Sequence, residues 1–205
     1  MSELIKLYED HVDRKKLKHI VEILRNGGLI IYPTDTVYGL GCDITNKSAL
    51  EKLARIKGVR LDKANFSFIC EDLSNLSDHV AQIETQTFKI LKRNLPGPYT
   101  FILPGSNSLP SVFRKKKTVG IRVPDNQIAL ALVRELGNPI VSTSIKDDDE
   151  ILEYTTDPSL MFDEWKHQVD VVIDGGFGGN EASTVIDLTG REPLLIREGK
   201  GEVLV

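Results

Sequence analysis

The chain has little cysteine and no long hydrophobic run. Among its 205 residues there are only two cysteines, Cys42 and Cys70, which are too few for a disulfide framework. Neither lies in a Cys/His cluster with metal-ligand spacing, so we expect reduced, buried thiols. No apolar run approaches the roughly 20 residues that cross a bilayer, and the first residues lack the apolar core of a signal peptide. These absences predict a cytoplasmic protein with no membrane segment.

Several catalytic signatures are also missing. The sequence has no Gly-x-x-x-x-Gly-Lys-[Ser/Thr] loop, which excludes a P-loop nucleotide site. The four histidines, His11, His19, His79 and His167, are scattered, so no Ser/His/Asp triad is visible. Residues 147–150 are acidic, and we interpret them as a solvated loop rather than a cation site. We therefore predict no metal site built by the protein itself.

Positive charge is in short supply overall. The net charge of -4 disfavours a protein whose whole surface binds nucleic acid, because such binding neutralises many phosphates. Basic residues are nevertheless concentrated in two segments, one with Lys57, Arg60 and Lys63, the other at residues 114–117. The second segment is either a solvated face or an RNA-binding surface carried by residues 115–117.

The order of apolar patterns indicates a single α/β domain over residues 1–205, with no length left for a large second module. Helical spacing from Leu17 to Leu24 ends at two glycines, and an apolar strand at residues 29–32 follows. A capping box at residues 48–51 is expected to open the next helix. Further strands are predicted at residues 65–70, 99–103, 118–123, 140–144, 169–173, 184–188 and 194–197, and helices near residues 88–95, 127–136 and after Asp157. Helices between the early strands and turns between the late ones predict a mixed sheet.

Residues 28–41 join an apolar strand to a polar turn. Pro33 cannot donate to a sheet ladder, so the strand should stop there. Thr34, Asp35 and Thr36 follow at the carboxyl end of the strand, which is where ligands bind in open α/β sheets. The segment is either a ligand-binding turn or an ordinary turn in which Thr34 and Asp35 satisfy backbone groups.

Hydroxyl and cationic side chains recur at the predicted strand ends. Hydroxyls donate hydrogen bonds to phosphates, and guanidinium groups bind carboxylates and phosphates in bidentate fashion. The set therefore predicts a site for an anionic small ligand. Its members are Thr36, Thr118, Arg122, Ser142, Ser144, Ser183, Thr184 and Arg197. The glycine-rich residues 174–180 are interpreted as a hairpin connection rather than a phosphate loop, because no convincing helix follows them.

A series of sequence blocks, in one order along most of the chain, resembles the YrdC-like family. The blocks are Pro-Thr-Asp-Thr-Val-Tyr-Gly-Leu at residues 33–40, the cluster of Lys57, Arg60 and Lys63, Pro-Gly-Pro-Tyr-Thr at 96–100, Thr-Val-Gly-Ile-Arg-Val-Pro at 118–124, Ser-Thr-Ser at 142–144 and Ser-Thr-Val-Ile-Asp at 183–187. The resemblance implies a YrdC-like α/β fold, a twisted open sheet that is mainly parallel and partly mixed, flanked by helices, with a large electropositive cavity. It also implies a threonylcarbamoyl-AMP synthase, which uses L-threonine, bicarbonate and ATP with Mg²⁺ to make threonylcarbamoyl-adenylate and pyrophosphate.

The same resemblance implies a role for each candidate residue. Lys57 and Arg60 would be catalytic, holding the triphosphate and neutralising charge on the leaving pyrophosphate, with no protein nucleophile. Thr36 would line the threonine and adenylate pocket. The other implied substrate-binding residues are Lys63, Thr118, Arg122, Ser142, Ser144, Ser183 and Arg197. Among them, Ser142 and Ser144 would contact the nucleotide phosphate, and Arg122 is placed for a carboxylate or phosphate.

Two departures from the family pattern resemble the YciO-like branch. The expected Lys-x-Arg reads Lys57-Gly58-Val59-Arg60, with one extra residue, and the expected Ser-x-Asn reads Ser144-Ile145-Lys146. In that branch the pocket is expected, as an alternative, to hydrolyse or only bind the adenylate. The resemblance further implies a product used to modify adenosine 37 of tRNA, with the downstream t6A transferase proteins as partners. A double-stranded RNA-binding module is the remaining alternative.

Overall fold

The computed structural model describes residues 2–74, 76–145 and 156–202 of the chain. The strands are β1 (Glu3–Lys6), β2 (Ile30–Tyr32), β3 (Gly39–Asp43), β4 (Ser67–Ile69), β5 (Tyr99–Pro104), β6 (Thr118–Arg122), β7 (Ile140–Ser144), β8 (Val171–Asp174), β9 (Thr184–Asp187) and β10 (Leu194–Arg197). The helices are α1 (Arg14–Arg25), α2 (Lys47–Ile56), α3 (Thr85–Asn94), α4 (Ser111–Arg114), α5 (Gln127–Leu136) and α6 (Pro158–Trp165), with a 3₁₀ turn at Leu76–Asp78. Lys146 and the acidic residues 147–150 lie outside the described residues. No helix in the described ranges is long and apolar enough to cross a membrane.

The ten strands form one open sheet in the order β1-β8-β2-β3-β7-β4-β6-β5-β9-β10. Neighbours run parallel in the pairs β1–β8, β2–β8, β4–β6 and β5–β9, and antiparallel in the other pairs. The prediction of a mixed α/β sheet flanked by helices is confirmed. The expectation that the sheet is mainly parallel is wrong, because β7 returns between β3 and β4 and pairs antiparallel with both.

Helices with clear end signals lie where the sequence predicts them. Asp13 caps α1 by accepting hydrogen bonds from the backbone N–H groups of Lys15 and Lys16. At the other end Gly27 has a φ of 85°, a left-handed conformation that glycine adopts without strain. The helix α5 ends in the same way at Gly137, also with a φ of 85°. These signals act locally, which is why the sequence reports them well.

Three local predictions are wrong. The helix α2 begins at Lys47, and Asn46 rather than the box at residues 48–51 caps it, by accepting from the Ala49 N–H. The polar turn after Pro33 is present but ends earlier than predicted, because Gly39–Asp43 forms the fully buried strand β3. Residues 174–180 are not a hairpin connection, since β8 and β9 lie far apart in the strand order.

Side chains of the sheet alternate between two hydrophobic layers. On β7, Ile140 packs with α1 and α5, whereas Val141 belongs to the layer on the opposite face with α2 and α6. Both cysteines are free and buried, as expected, and burial raises the pKa of the Cys70 thiol to about 12. Because side chains alternate along a strand, Ser142 and Ser144 share the Ile140 face. That face carries the cavity described next.

Candidate functional site

A cavity of about 590 Å³ occupies the open part of this sheet face. Its floor is made by alternate residues of the central strands, namely Ser67 on β4, Thr100 and Ile102 on β5, Thr118, Gly120 and Arg122 on β6, and Ser142 and Ser144 on β7. Most of these side chains are small. At Gly120 an added Cβ would lie 3.3 Å from Thr100 Cγ2, so glycine keeps the floor low. The alternation that buries Val119 and Ile121 on one face therefore leaves a polar hollow on the other.

Arg122 is fixed at one end of the cavity by the turn that follows Pro33. Its Nη2 donates to Asp35 Oδ1 at 2.6 Å, Thr36 Oγ1 at 2.5 Å and Thr34 Oγ1 at 3.1 Å. The side chains of Arg122 and Asp35 are only 10% and 9% exposed. One edge of the guanidinium is thus held inside the protein, and Arg122 also lines the cavity. Nε of the same guanidinium is buried without a hydrogen-bond partner, so Nη1 is the group left to donate to a carboxylate or phosphate.

The same turn is braced from behind by the glycine-rich segment. Tyr38 Oη donates to the Gly176 carbonyl at 2.6 Å and accepts from the Gly175 N–H at 3.1 Å. The Gly179 N–H donates to the Thr36 carbonyl at 2.9 Å, where an added Cβ would lie 2.4 Å from that oxygen. Residues 175–179 therefore support the wall of the cavity and do not line it.

The serines of β7 are held by a buried tyrosine. Tyr32 Oη donates to Ser142 Oγ at 2.6 Å, and burial raises the pKa of Tyr32 to about 12. Ser144 lies opposite Gly39 in the β3–β7 register, at the carboxyl end of β7. Both serine side chains line the cavity. Their hydroxyls offer the neutral donors that a phosphate ester needs.

The far side of the cavity is closed by Ser183 and Arg197. Ser183 Oγ lies 2.9 Å from Thr100 Oγ1, and the Arg197 Nη2 donates to the Ser183 carbonyl at 2.9 Å. Both Ser183 and Arg197 line the cavity. Lys116 is a third lining cation beside Arg122 and Arg197, and no carboxylate of the described residues lines the cavity. The lining charges are therefore positive, in agreement with the expected electropositive cavity.

Three predicted cations lie elsewhere. Lys57, just after α2, donates from Nζ to the carbonyls of Ser144 at 3.1 Å and Ile145 at 3.2 Å. The Arg60 guanidinium donates to both oxygens of Asp62, at 3.1 Å and 2.9 Å, and its side chain is 72% exposed. Lys63 is exposed as well. None of the three lines the cavity, so their implied contacts with a triphosphate stay predictions.

The structure thus brings together six of the predicted residues in the cavity lining, Thr118, Arg122, Ser142, Ser144, Ser183 and Arg197. Thr36 is fully buried behind them and contacts Arg122 rather than the open space. Sequence reasoning missed Lys116 and Thr100, which also line the cavity. Thr100 carried a signal, because it alternates with the buried Tyr99 and Phe101. Lys116 carried none, since it lies within a run of identical residues.

Comparison with known proteins places the chain among relatives of one family. The family model for Sua5, YciO and YrdC proteins, described as "Telomere recombination", matches residues 22–199. The chain is 42% identical to the uncharacterised protein YciO of Escherichia coli over 99% of this chain and 98% of that protein. The crystal structure of E. coli YciO superimposes with a TM-score of 0.89 and covers 98% of both chains.

More distant relatives carry a named activity. The threonylcarbamoyl-AMP synthase of Methylobacillus flagellatus is 34% identical over 66% of this chain and 76% of that protein. The crystal structure of Pyrococcus abyssi Sua5 in complex with L-threonine superimposes with a TM-score of 0.86 at 29% identity. This match covers 97% of the present chain but 58% of the Sua5 chain.

Proposed function

This chain belongs to the Sua5/YciO/YrdC family, and we propose that it is an enzyme that forms threonylcarbamoyl-adenylate and pyrophosphate from L-threonine, bicarbonate and ATP. The observation that carries the proposal is the cavity of about 590 Å³, whose lining joins cations to hydroxyls. Cavities of about 300–1,000 Å³ are typical of small-ligand sites. We further propose that the protein acts in the cytoplasm and that the adenylate passes to the t6A transferase proteins that modify adenosine 37 of tRNA.

Two parts of the cavity suit two groups of such an adenylate, the threonine carboxylate and the phosphate. Arg122 presents a fixed guanidinium whose Nη2 is held by the turn, which leaves Nη1 to donate to the carboxylate of threonine. Ser142 and Ser144 offer hydroxyls along β7, which suit the phosphate of the adenylate. Holding the carboxylate and the phosphate would position the carbamate oxygen near the α-phosphorus, and positioning supplies much of the barrier reduction in phosphoryl transfer.

Magnesium would enter with ATP. The described residues contain no cluster of three or more His, Cys, Asp or Glu side chains that could hold a metal ion. The oxygens of the triphosphate are hard ligands that Mg²⁺ prefers, so the nucleotide itself would hold the ion. Bound with the nucleotide, the ion would neutralise charge on the leaving pyrophosphate, while the protein supplies the shape and the hydroxyl donors.

A second candidate is hydrolysis of the same adenylate to AMP, L-threonine and carbon dioxide. The ion pair between Arg60 and Asp62 favours it, because that arginine is turned away from the cavity. Lys57 is likewise engaged by two backbone carbonyls. An adenylate needs fewer cations than a triphosphate, so the cavity residues alone suffice to bind it.

One protein preparation is tested for both adenylate formation and adenylate hydrolysis. Pure protein is incubated with ATP, L-threonine, bicarbonate and Mg²⁺, and pyrophosphate and the adenylate are quantified; supplied adenylate is followed separately through AMP release. We expect Ser183→Ala, in the cavity, to lower the rate about fivefold or more, because one hydrogen bond contributes about 1 kcal/mol. Ser48→Ala, on the exposed face of α2, is the matched control and should retain the wild-type rate. Absence of both activities in the wild-type protein would refute the enzyme proposal.

A further inference from the structure

We propose that Lys116 is a phosphate-binding residue of the cavity, contacting the phosphate of the adenylate from the side opposite Arg122. The inference rests on the proposed function, which supplies the identity of the ligand. This position lies outside the sequence blocks that carry the family resemblance.

The side chain of Lys116 is turned inward, unlike those of its two neighbours. It lines the cavity and is partly buried, whereas Lys115 and Lys117 are exposed. Lys115 instead lines a separate surface groove together with Arg60 and Asp62. The lysine run is therefore not one outward basic face, which weakens its interpretation as an RNA-binding surface.

Lys116 Nζ lies at the phosphate end of the cavity. It donates to Asn65 Oδ1 at 2.6 Å and to the Ala64 carbonyl. In the sheet register Ser67 pairs with Gly120 on parallel β6 and with Ser142 on antiparallel β7. Two residues before Ser67, Asn65 thus lies at the edge where β6 begins with Thr118 and β7 ends with Ser144. The ammonium group stands at the same edge as these two hydroxyls.

Both partners of this ammonium group are neutral oxygens. No carboxylate in the described part of the chain forms an ion pair with it, and burial lowers the pKa of Lys116. An ammonium has three N–H donors, and two of them meet Ala64 and Asn65. A bound anion would accept from the third donor and would stabilise the charged form that the cavity otherwise disfavours.

The backbone beside Lys116 is strained. Lys117 has a φ of 58°, a left-handed conformation that non-glycine residues rarely adopt, and its carbonyl accepts from the Gly105 N–H at 2.8 Å. Such strain persists where the surroundings fix it, commonly at ligand sites. Here it stands between the inward Lys116 and the first residue of β6.

The chemistry of the two ends selects phosphate rather than carboxylate as the ligand. Arg122, fixed by Asp35, already provides a cation for the threonine carboxylate. A lysine is a compact point charge, which is well suited to phosphate oxygens. Lys116 and the hydroxyls of Thr118 and Ser144 then surround the phosphate with one cation and two neutral donors.

The test compares AMP with adenosine in calorimetric titrations, since the two ligands differ only in the phosphate. We expect Lys116→Met to weaken AMP binding at least about tenfold while changing adenosine affinity by less than about twofold. Lys117→Met, one residue further along and outside the lining, is the control and should match the wild type for both ligands. Lys116→Arg keeps the charge and should recover part of the AMP affinity.

Each result is decisive. Equal losses for AMP and adenosine would show that Lys116 only braces residues 64–65, and would overturn the proposal, as would unchanged AMP binding or no AMP binding by the wild type. If AMP affinity falls as expected in a protein that neither forms nor consumes the adenylate, the role of Lys116 stands and the enzyme proposal fails. If the adenylate is turned over and Lys116→Met binds AMP like the wild type, the enzyme proposal stands and the proposed role of Lys116 fails.

Discussion

The cavity has a wall formed by Arg122 and the turn at residues 34–36, and a loop at residues 57–63 lies outside it. Both are rich in charge, yet they are built in opposite ways. In the wall, Arg122 and Asp35 are nearly buried, and three oxygens of the turn accept from one nitrogen of the guanidinium. In the loop, Arg60 is 72% exposed and its partner Asp62 sits two residues away. A rigid cation is thus set beside the cavity, whereas the cations implied for the triphosphate stand outside it.

The difference matters for the chemistry because only fixed charges stabilise a transition state without reorganisation. Breaking the buried pair of Arg122 would leave a charge in a poorly solvated place, which is strongly unfavourable. Breaking an exposed pair such as that of Arg60 is nearly neutral, since water replaces the partner. The wall is therefore ready for a ligand, and the loop is able to exchange Asp62 for one.

Arg122→Met is expected to have the largest effect. It leaves the Asp35 carboxylate buried without its partner, so the free energy of unfolding should fall by about 3–5 kcal/mol in denaturant titrations. Turnover should be lost with it, because the carboxylate of threonine loses its guanidinium. If stability were unchanged, the wall would not be preorganised, and its ion pair would not differ in strength from the exposed pair of the loop.

A double variant separates the lost contact from the stranded charge. Arg122→Met combined with Asp35→Asn removes both charges, so it should be more stable than Arg122→Met alone. Its turnover should remain absent. Equal stability of the single and double variants would mean that Asp35 carries no uncompensated charge once Arg122 is gone.

The wall was more accessible to sequence reasoning than the loop, for a physical reason. Arg122 alternates with Val119, Ile121 and Val123, and the two-residue period of a strand fixes which face it takes. Helix ends such as Gly137 are signalled within a few residues. The directions of Lys57 and Arg60 depend instead on which acceptors happen to be nearby, and no periodicity reports those.

Strand pairing between distant parts of the chain was the other feature that the sequence could not predict. The strand β3 was not predicted, because two of its five residues are glycines, which have a weak strand preference. Burial in the sheet overrides that preference. The crossover between β8 and β9 depends on which strands fill the sheet between them, and a local sequence of glycines does not contain that information.

The next prediction concerns catalysis and compares one residue from each region. Ser144→Ala, in the cavity, should lower adenylate formation and adenylate hydrolysis at least about tenfold each, or about 1.4 kcal/mol of transition-state stabilisation. Arg60→Ala should lower formation by a similar factor and leave hydrolysis within about twofold, because only formation releases pyrophosphate. Wild-type formation in Arg60→Ala would remove the loop from the site altogether.

Tyr32→Phe tests the wall at a smaller scale. It removes the hydroxyl that donates to Ser142 Oγ, so the free energy of unfolding should fall by about 1 kcal/mol near neutral pH. The pKa of Tyr32 is raised from 10.0 to about 12, so folding stabilises the protonated phenol, and stability is lost as pH rises through this range. The decline above pH 10 should therefore be shallower in the variant. Tyr8→Phe, at a side chain that is 56% exposed, should change neither property.

The smallest effect is expected at Asp62, and it reports directly on the loop. The hydrogen bond from Arg60 lowers the pKa of the Asp62 carboxyl, so an NMR titration of Arg60→Ala should find that pKa raised toward its ordinary value. The unfolding midpoint should not change measurably, because the pair is solvent-exposed.

If Arg60 leaves Asp62 to hold a triphosphate, saturation of the wild-type protein with ATP and Mg²⁺ should also raise the Asp62 pKa. In Arg60→Ala the nucleotide should then produce no further rise, since there is no arginine to withdraw. If the Asp62 pKa in the wild type does not change on addition of ATP, the loop stays turned outward. The chemistry would then belong to the wall and the cavity floor alone.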